Sequence, residues 1–339
     1  MQMKRVQIFV AALLAVVYFG CSKTAQEITP APTDPVVQPA VISGVNWADA
    51  RDNFVDGWVI PSGLTAGDDY TAAATKANAI YSGFLANMKG VNAVRLPVNP
   101  PSVTESWWNS YQAVIDQALA KNLKVILACW EGTSKKDGKI DDLAAFWQMW
   151  KILTDKYGNQ SNVYFEVFNE PYGYTLSELS DVYVQFLDKF SGVPKVRILL
   201  GGTGYSEDVT DIGADKRFDG CLLALHNYAF WNTRTQTEWE TNWRVRFGAY
   251  ASRTVVTEFG AAMTTGKNYG GSAGSDNEIA YIVGSTNVFR NNQISSVYWP
   301  GLRDGDSYSM QVKSGKGANI MLTTSNASGL ARLKFGWGN

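Results

Sequence analysis

The 339-residue chain is poor in the residue types that build metal centres, disulfide frameworks and nucleic-acid surfaces. It has one histidine, His226, and three cysteines, Cys21, Cys129 and Cys221. None of these stands at zinc-ligand spacing, so neither a metal nor any other cofactor is expected. Cys129 and Cys221 each lie in an apolar run (KVILAC and GCLLAL) and read as buried thiols. Charge of one sign is also missing: 30 Lys and Arg face 31 Asp and Glu, with no basic cluster, which excludes a nucleic-acid partner. The longest apolar run, Val6 to Gly20, is about 15 residues, short of the roughly 20 a membrane-spanning helix needs.

That short run is itself informative. Lys4 and Arg5 precede it and Cys21 follows it, so residues 1–20 read as a signal peptide. Gly20-Cys21-Ser22-Lys23 looks like a bacterial lipoprotein cleavage site, although Tyr18 stands where Leu is usual. Lipidation of Cys21 and anchoring to a bacterial membrane, the outer membrane, are therefore expected in a secreted protein. An uncleaved N-terminal anchor and ordinary secretion are the competing readings. Residues 21–40, rich in Pro and Thr without hydrophobic period, read as an extended tether.

From Val41 to Asn339 one large domain is expected, acting as a monomer. Short β-branched runs alternate with longer amphipathic stretches, the pattern of βα units with parallel strands. Strands are predicted at Val41–Asn46, Ala93–Pro97, Val125–Cys129, Val163–Phe168, Val196–Gly201, Leu222–Leu225, Thr254–Thr257 and Ser295–Trp299. Helical periodicity covers Trp107–Lys121, Leu143–Tyr157, Leu176–Phe190, Thr235–Tyr250 and Asn277–Asn291. Eight such units close most economically into an α/β fold of the (β/α)8 TIM-barrel type. A small hairpin is predicted from Ser307–Val312 and Ala318–Leu322, with a last helix near Asn326–Leu333.

In such barrels the reactive groups sit where strands end, because the βα loops form the large concavity there. Strand two carries Arg95, strand four leads into Asn169-Glu170-Pro171, strand six into His226-Asn227-Tyr228, strand seven carries Glu258 and strand eight Trp299. Two carboxylates at opposed strand ends suit glycoside hydrolysis with retention, which needs a proton donor and a nucleophile about 5 to 5.5 Å apart. Glu258 reads as the nucleophile, kept ionised by Arg95 and the Tyr228 hydroxyl. Glu170 reads as the acid/base, with its pKa raised in a drier setting.

The ordered set VRLPVNP, VYFEVFNEP, HNY, TVVTEFG and VYWP resembles glycoside hydrolase family 5, the cellulase-like family of clan A, over the chain from residue 41 onward. The resemblance implies Glu170 as acid/base, Glu258 as nucleophile, Asn169 on the sugar 2-hydroxyl and Arg95 beneath the nucleophile. It also implies His226 and Tyr228 flanking the pair and Trp299 as the platform under the reacting sugar. One departure stands out: the family commonly has a His after strand three, where this chain reads ACWEG and has Trp130.

Blander readings compete at several positions. Glu166, in step with the inward face of strand four, reads as a buried partner of an interior cation such as Arg95. His226 could be a satisfied core histidine, Trp299 rim packing, and Trp130 either core or a sugar-stacking residue. Trp147 and Trp150, three apart on a helix, read as core, as does one of Trp107 and Trp108. Gly270–Gly274 matches a G-x-S-x-G pattern but follows no strand, and Asp304-Gly-Asp306 lacks the further ligands of a calcium loop. The function expected is hydrolysis of a β-linked glucan, mannan or related polysaccharide or oligosaccharide. A clan A enzyme for galactan or xylan, or a surface glycan-binding protein without turnover, are the alternatives.

Overall fold

A computed structural model describes residues 41–339. The signal-peptide, Cys21 and tether assignments lie outside the described residues. Eight parallel strands close into a barrel in chain order: β1 (Ser43–Trp47), β2 (Ala93–Val98), β3 (Lys124–Cys129), β4 (Val163–Glu166), β5 (Ile198–Gly201), β6 (Leu222–His226), β7 (Thr254–Phe259) and β8 (Ser295–Leu302). Helices α1 (Tyr70–Asn87), α2 (Pro100–Thr104), α3 (Trp108–Ala120), α4 (Leu143–Tyr157), α5 (Leu176–Lys189), α6 (Thr203–Ser206), α7 (Thr210–Ala214), α8 (Gln236–Phe247) and α9 (Asn277–Asn292) fill the connections. A two-stranded sheet of β9 (Gln311–Ser314) and β10 (Met321–Thr324) and the helix α10 (Ala327–Gly336) complete the chain. The fold is the (β/α)8 barrel read from the sequence.

Local chemistry sets the helix starts. Asp142 accepts from the amides of Ala144 and Ala145 at the start of α4, and Thr175 with Glu178 and Thr235 with Glu238 form reciprocal caps on α5 and α8. Each such cap is worth about 1 kcal/mol. The buried face of α4 is Phe146, Met149, Trp150, Leu153 and Tyr157, the three- and four-residue spacing of an amphipathic helix. Trp150 is buried there against Phe165 and Phe186, while Trp147 is half-buried beside Phe190. Trp107 is buried and Trp108 half-buried. Cys129 and Cys221 are buried free thiols.

The two-residue period of a strand sorts the barrel interior into a dry and a polar end. Ile42, Ala93, Ile126, Tyr164, Leu199, Leu222, Ala224, Val255 and Val297 form one buried apolar cluster. Two residues further along their strands stand Arg95, Glu166, His226 and Thr257, all buried. Register aligns them: Asn46 is beside Arg95 and His226 beside Glu258. The side chains that carry charge thus share one end of the barrel.

The terminal hairpin differs from the sequence reading in extent and place. Gly315 takes φ +74° and Gly317 φ +56°, so the turn occupies the residues after Ser314 and β10 starts only at Met321. Residues 307–310 are used otherwise, with the Ser307 carbonyl accepting from the amides of Met263 and Thr264. The hairpin rests on α1: a Cβ on Gly83 would fall 2.7 Å from Leu322, and Asn87 donates to the Leu322 carbonyl at 2.7 Å. Segment 303–310 and the first strand of the hairpin both lie beside the end of β8, with Met310 donating to the Pro300 carbonyl.

Candidate active site

Arg95 organises the polar end of the barrel. Its Nε and Nη2 donate to the two oxygens of Glu166 at 2.6 and 2.8 Å, a bidentate pair. Nη1 donates to Glu258 Oε1 at 2.6 Å and to Asn46 Oδ1 at 3.0 Å, and Nη2 also donates to Asn169 Oδ1 at 2.6 Å. One guanidinium with 1% exposure therefore compensates two buried carboxylates. Burial is the largest influence on Glu166 and would raise its pKa. The charge of Arg95 and hydrogen bonds from His226 and Arg95 outweigh it, and the net direction is downward.

Glu258 is buried at the end of β7, and its second oxygen accepts from the Tyr228 hydroxyl at 2.9 Å. Burial, then the charge of Glu258, pushes that phenol well above its ordinary pKa, so it stays a donor. Glu170 is placed differently. Its carboxyl is 16% exposed and faces Nδ1 of His226 at 3.0 Å. Burial raises its pKa foremost; a hydrogen bond and charge from His226 pull down, the charge of Glu258 pushes up, and the net direction is upward. Two glutamates of one sequence type are thereby placed differently, Glu258 ion-paired to Arg95 and Glu170 inclined to keep its proton.

His226 ties the two together. Burial would lower its pKa, but the charge of Glu258 and hydrogen bonds to Glu166 and Glu170 carry it to about 9. As a cation it donates from both ring nitrogens, to Glu170 and, from Nε2, to the Thr257 hydroxyl at 3.0 Å. Thr257 in turn donates to Glu166 at 3.3 Å. One atom each of Glu170, His226 and Glu258 lie within 4.8 Å of one another, which brings the two carboxylates close enough to act on a single bond. Among the described residues this is also the one trio spaced to hold a metal ion. Both His226 nitrogens are engaged and Arg95 already neutralises Glu258, so its chemistry suits proton handling better than chelation.

The remaining sequence-predicted residues converge on the same place with two qualifications. Asn169 accepts from Arg95, leaving its Nδ2 buried and without a partner, free to donate to a ligand. Trp299 is half-buried, and Trp130 stacks on it with centroids 5.7 Å apart and an angle of 25°. Trp130 is only 4% exposed and lies 5.9 Å from the Arg95 guanidinium. One face of the Trp299 indole is therefore covered by protein. Two polar partners were not picked out from sequence: Asn46, which receives Arg95 and donates to the Thr257 carbonyl, and Thr257 itself. Their signal was present, a polar side chain at the end of an otherwise apolar strand. Phe54, Tyr172, Tyr205, Phe230 and Trp231, which line the cavity beside Glu170, were also not picked out. Of these only the aromatic run after His226 is visible in the sequence.

The family profile described as Cellulase (glycosyl hydrolase family 5) matches residues 65–301, well over half of the chain. The chain belongs to glycoside hydrolase family 5. This family 5 hydrolase shares its fold with solved structures at low identity. The catalytic domain of the major endoglucanase of Xanthomonas campestris pv. campestris is 16% identical, with a TM-score of 0.63 over 88% of this chain and 95% of that one. An endocellulase of Pyrococcus horikoshii, solved with cellotetraose, is 14% identical, with a TM-score of 0.63 over 88% and 93%. The cellulose synthase subunit Z of Clostridioides difficile is 15% identical, with a TM-score of 0.62 over 87% and 99%. No curated protein sequence matches the family 5 chain significantly.

Proposed function

We propose that this glycoside hydrolase cleaves a β-linked glucan, mannan or related glycan with retention of configuration, using Glu258 as nucleophile and Glu170 as acid/base. The observation that carries the reading is the contrast within one close pair: Glu258 bonded to Arg95 and Tyr228, Glu170 with a raised pKa beside it. In the first step the Glu258 carboxylate attacks the anomeric carbon, the glycosidic C–O bond breaks, and Glu170 passes its proton to the leaving oxygen. In the second, Glu170 takes a proton from water, which attacks the same carbon and breaks the glycosyl ester, restoring both carboxyl groups. Asn169 Nδ2 is available to donate to the sugar 2-hydroxyl. We further propose that the mature protein is a monomer and, from its leader sequence, that a lipidated Cys21 anchors it to the bacterial outer membrane.

The test uses azide with Glu258→Ala. The variant should be nearly inactive, and the space left beneath the anomeric carbon should admit azide, giving an α-glycosyl azide from an activated β-glycoside because one displacement inverts. A β-azide, or rescue to an α-product in Glu170→Ala alone, would exchange the two roles. Wild type that yields inverted product would replace the nucleophile by a water-activating base.

A further inference from the structure

The strand ends open into two cavities that share no lining residue. One, of about 280 Å³, holds Glu170, His226 and Tyr228 and continues past Tyr172, Tyr205, Phe230 and Trp231. The other, of about 370 Å³, is lined by Trp130, Glu131, Asp141 and Asn99. Phe54 faces the first and Trp130 the second, and these two rings meet edge to face at 4.6 Å. They form the partition between the cavities.

The partition is braced from three sides. Behind it Trp130 stacks on Trp299 and lies over the Arg95 guanidinium. Above it the Lys136 ammonium sits 4.1 Å over the Phe54 ring and 3.8 Å from Asp52, tying the loop after β3 to the loop after β1. The Tyr172 hydroxyl donates to the Lys136 carbonyl, and the Ser134 amide donates to Asp56 at 2.9 Å, which pins the same two loops together. An edge-to-face pair and a cation over a ring each add to what burial alone supplies, so the wall is held closed by several coupled contacts.

Given the proposed roles, the chemistry fixes direction. The acid/base must sit beside the leaving group, so the cavity that runs outward from Glu170 past Tyr205 and Trp231 takes the aglycone. The glycone must lie on the other side of Glu170, at the end of the same cavity that Phe54 walls off. We infer that Phe54 and Trp130 close the glycone end of the cleft after a single sugar, making the protein an exo-acting hydrolase that removes one residue from the non-reducing end of a β-linked chain. This inference rests on the functional reading above and goes beyond it by assigning the mode of action and the residues that set it. A continuous groove would let a chain run through both cavities; the partition divides that path.

The experiment takes the full chain and a β-linked pentasaccharide of glucose or mannose labelled at its reducing end, with mass analysis of the first products. Wild type should release labelled tetrasaccharide and free monosaccharide. Phe54→Ala and Trp130→His should each open the partition and yield labelled disaccharide and trisaccharide, with the ratio of tetrasaccharide to shorter labelled products falling about tenfold or more. Phe54 is half-buried, so its variant keeps the test available if Trp130→His does not fold. Internal cleavage by wild type, or an unchanged product ratio in a folded Phe54→Ala, overturns the inference while leaving the hydrolase reading intact. A folded wild type inert toward both pentasaccharides and all aryl β-glycosides overturns the hydrolase reading, and the inference falls with it.

Discussion

Nδ1 of His226 stands 3.0 Å from Oε1 of Glu170, and the imidazolium it belongs to is stable to about pH 9. Over the range in which the site would work, His226 is therefore a cation that favours the ionised form of Glu170, against the burial that favours the acid.

That opposition gives the first prediction. His226→Gln keeps a polar side chain but removes the positive charge, so the pKa of Glu170 should rise further. The alkaline limb of kcat/KM, which reports loss of the Glu170 proton, should move to higher pH. A pH–rate profile with an aryl β-glycoside checks this, and a limb that stays put or moves to acid would contradict it.

The same residue makes stability depend on pH. The folded pKa of His226, about 9, lies above its ordinary value of 6.5, so its contribution is fully present below pH 6.5 and is lost as pH rises through 9. The Tm advantage of wild type over His226→Gln should be larger at pH 6 than at pH 9.5. An advantage that grows with pH would show that the ring is held neutral.

Glu170→Gln tests the proton donor. Substrates with poor leaving groups need that proton and should lose about 10²- to 10⁴-fold in rate, whereas activated aryl glycosides should lose far less. Steady-state rates on a leaving-group series decide it; equal loss across the series would remove Glu170 from the acid role.

Arg95 should matter to folding as well as to chemistry. Arg95→Ala removes the cation shared by Glu166, which has no exposed surface, and Glu258, at a cost of about 3–5 kcal/mol. Combining Arg95→Met with Glu166→Leu should recover the part of that loss due to Glu166, because that carboxylate is then gone, while the part due to Glu258 remains. Denaturant unfolding of the single and double variants measures the coupling, and a double variant no better than Arg95→Ala would place the cost elsewhere.

Chelation is the last test. Hydrolysis should be unchanged by a strong chelator, since two carboxylates suffice for the chemistry and both His226 nitrogens are already bonded. Activity that vanishes with the chelator and returns with a divalent ion would turn the Glu170, His226 and Glu258 trio into a metal centre.

Much of the barrel was legible because its signals are local. Strand alternation, helix period and caps such as Asp142 and Thr175 act within a few residues, and the site positions Arg95, Trp130, Asn169, Glu170, His226, Tyr228, Glu258 and Trp299 announce themselves as polar or aromatic residues at strand ends. Parallel barrel topology then leaves them one place to meet. The strand limits were less legible: β4 ends at Glu166, two residues before the apolar run does, because Val167 and Phe168 stay buried after the strand has ended.

What the sequence by itself determined is the set of chemical parts: a family 5 barrel, two glutamates, one arginine to share between carboxylates, one histidine, and a tryptophan where the family commonly has histidine. Only the tertiary structure decided how those parts act on one another. Phe54 and Trp130 follow β1 and β3, two βα units apart, and their contact depends on two loops whose paths are set by Lys136, Asp52, Asp56 and Ser134 rather than by any periodic pattern. The pKa of Glu170 likewise follows from the burial and the charges around it, and both depend on distances across the barrel mouth. Period and propensity act along the chain, whereas electrostatics and aromatic packing act through space, so the first could be read from the order of residues and the second only from their positions.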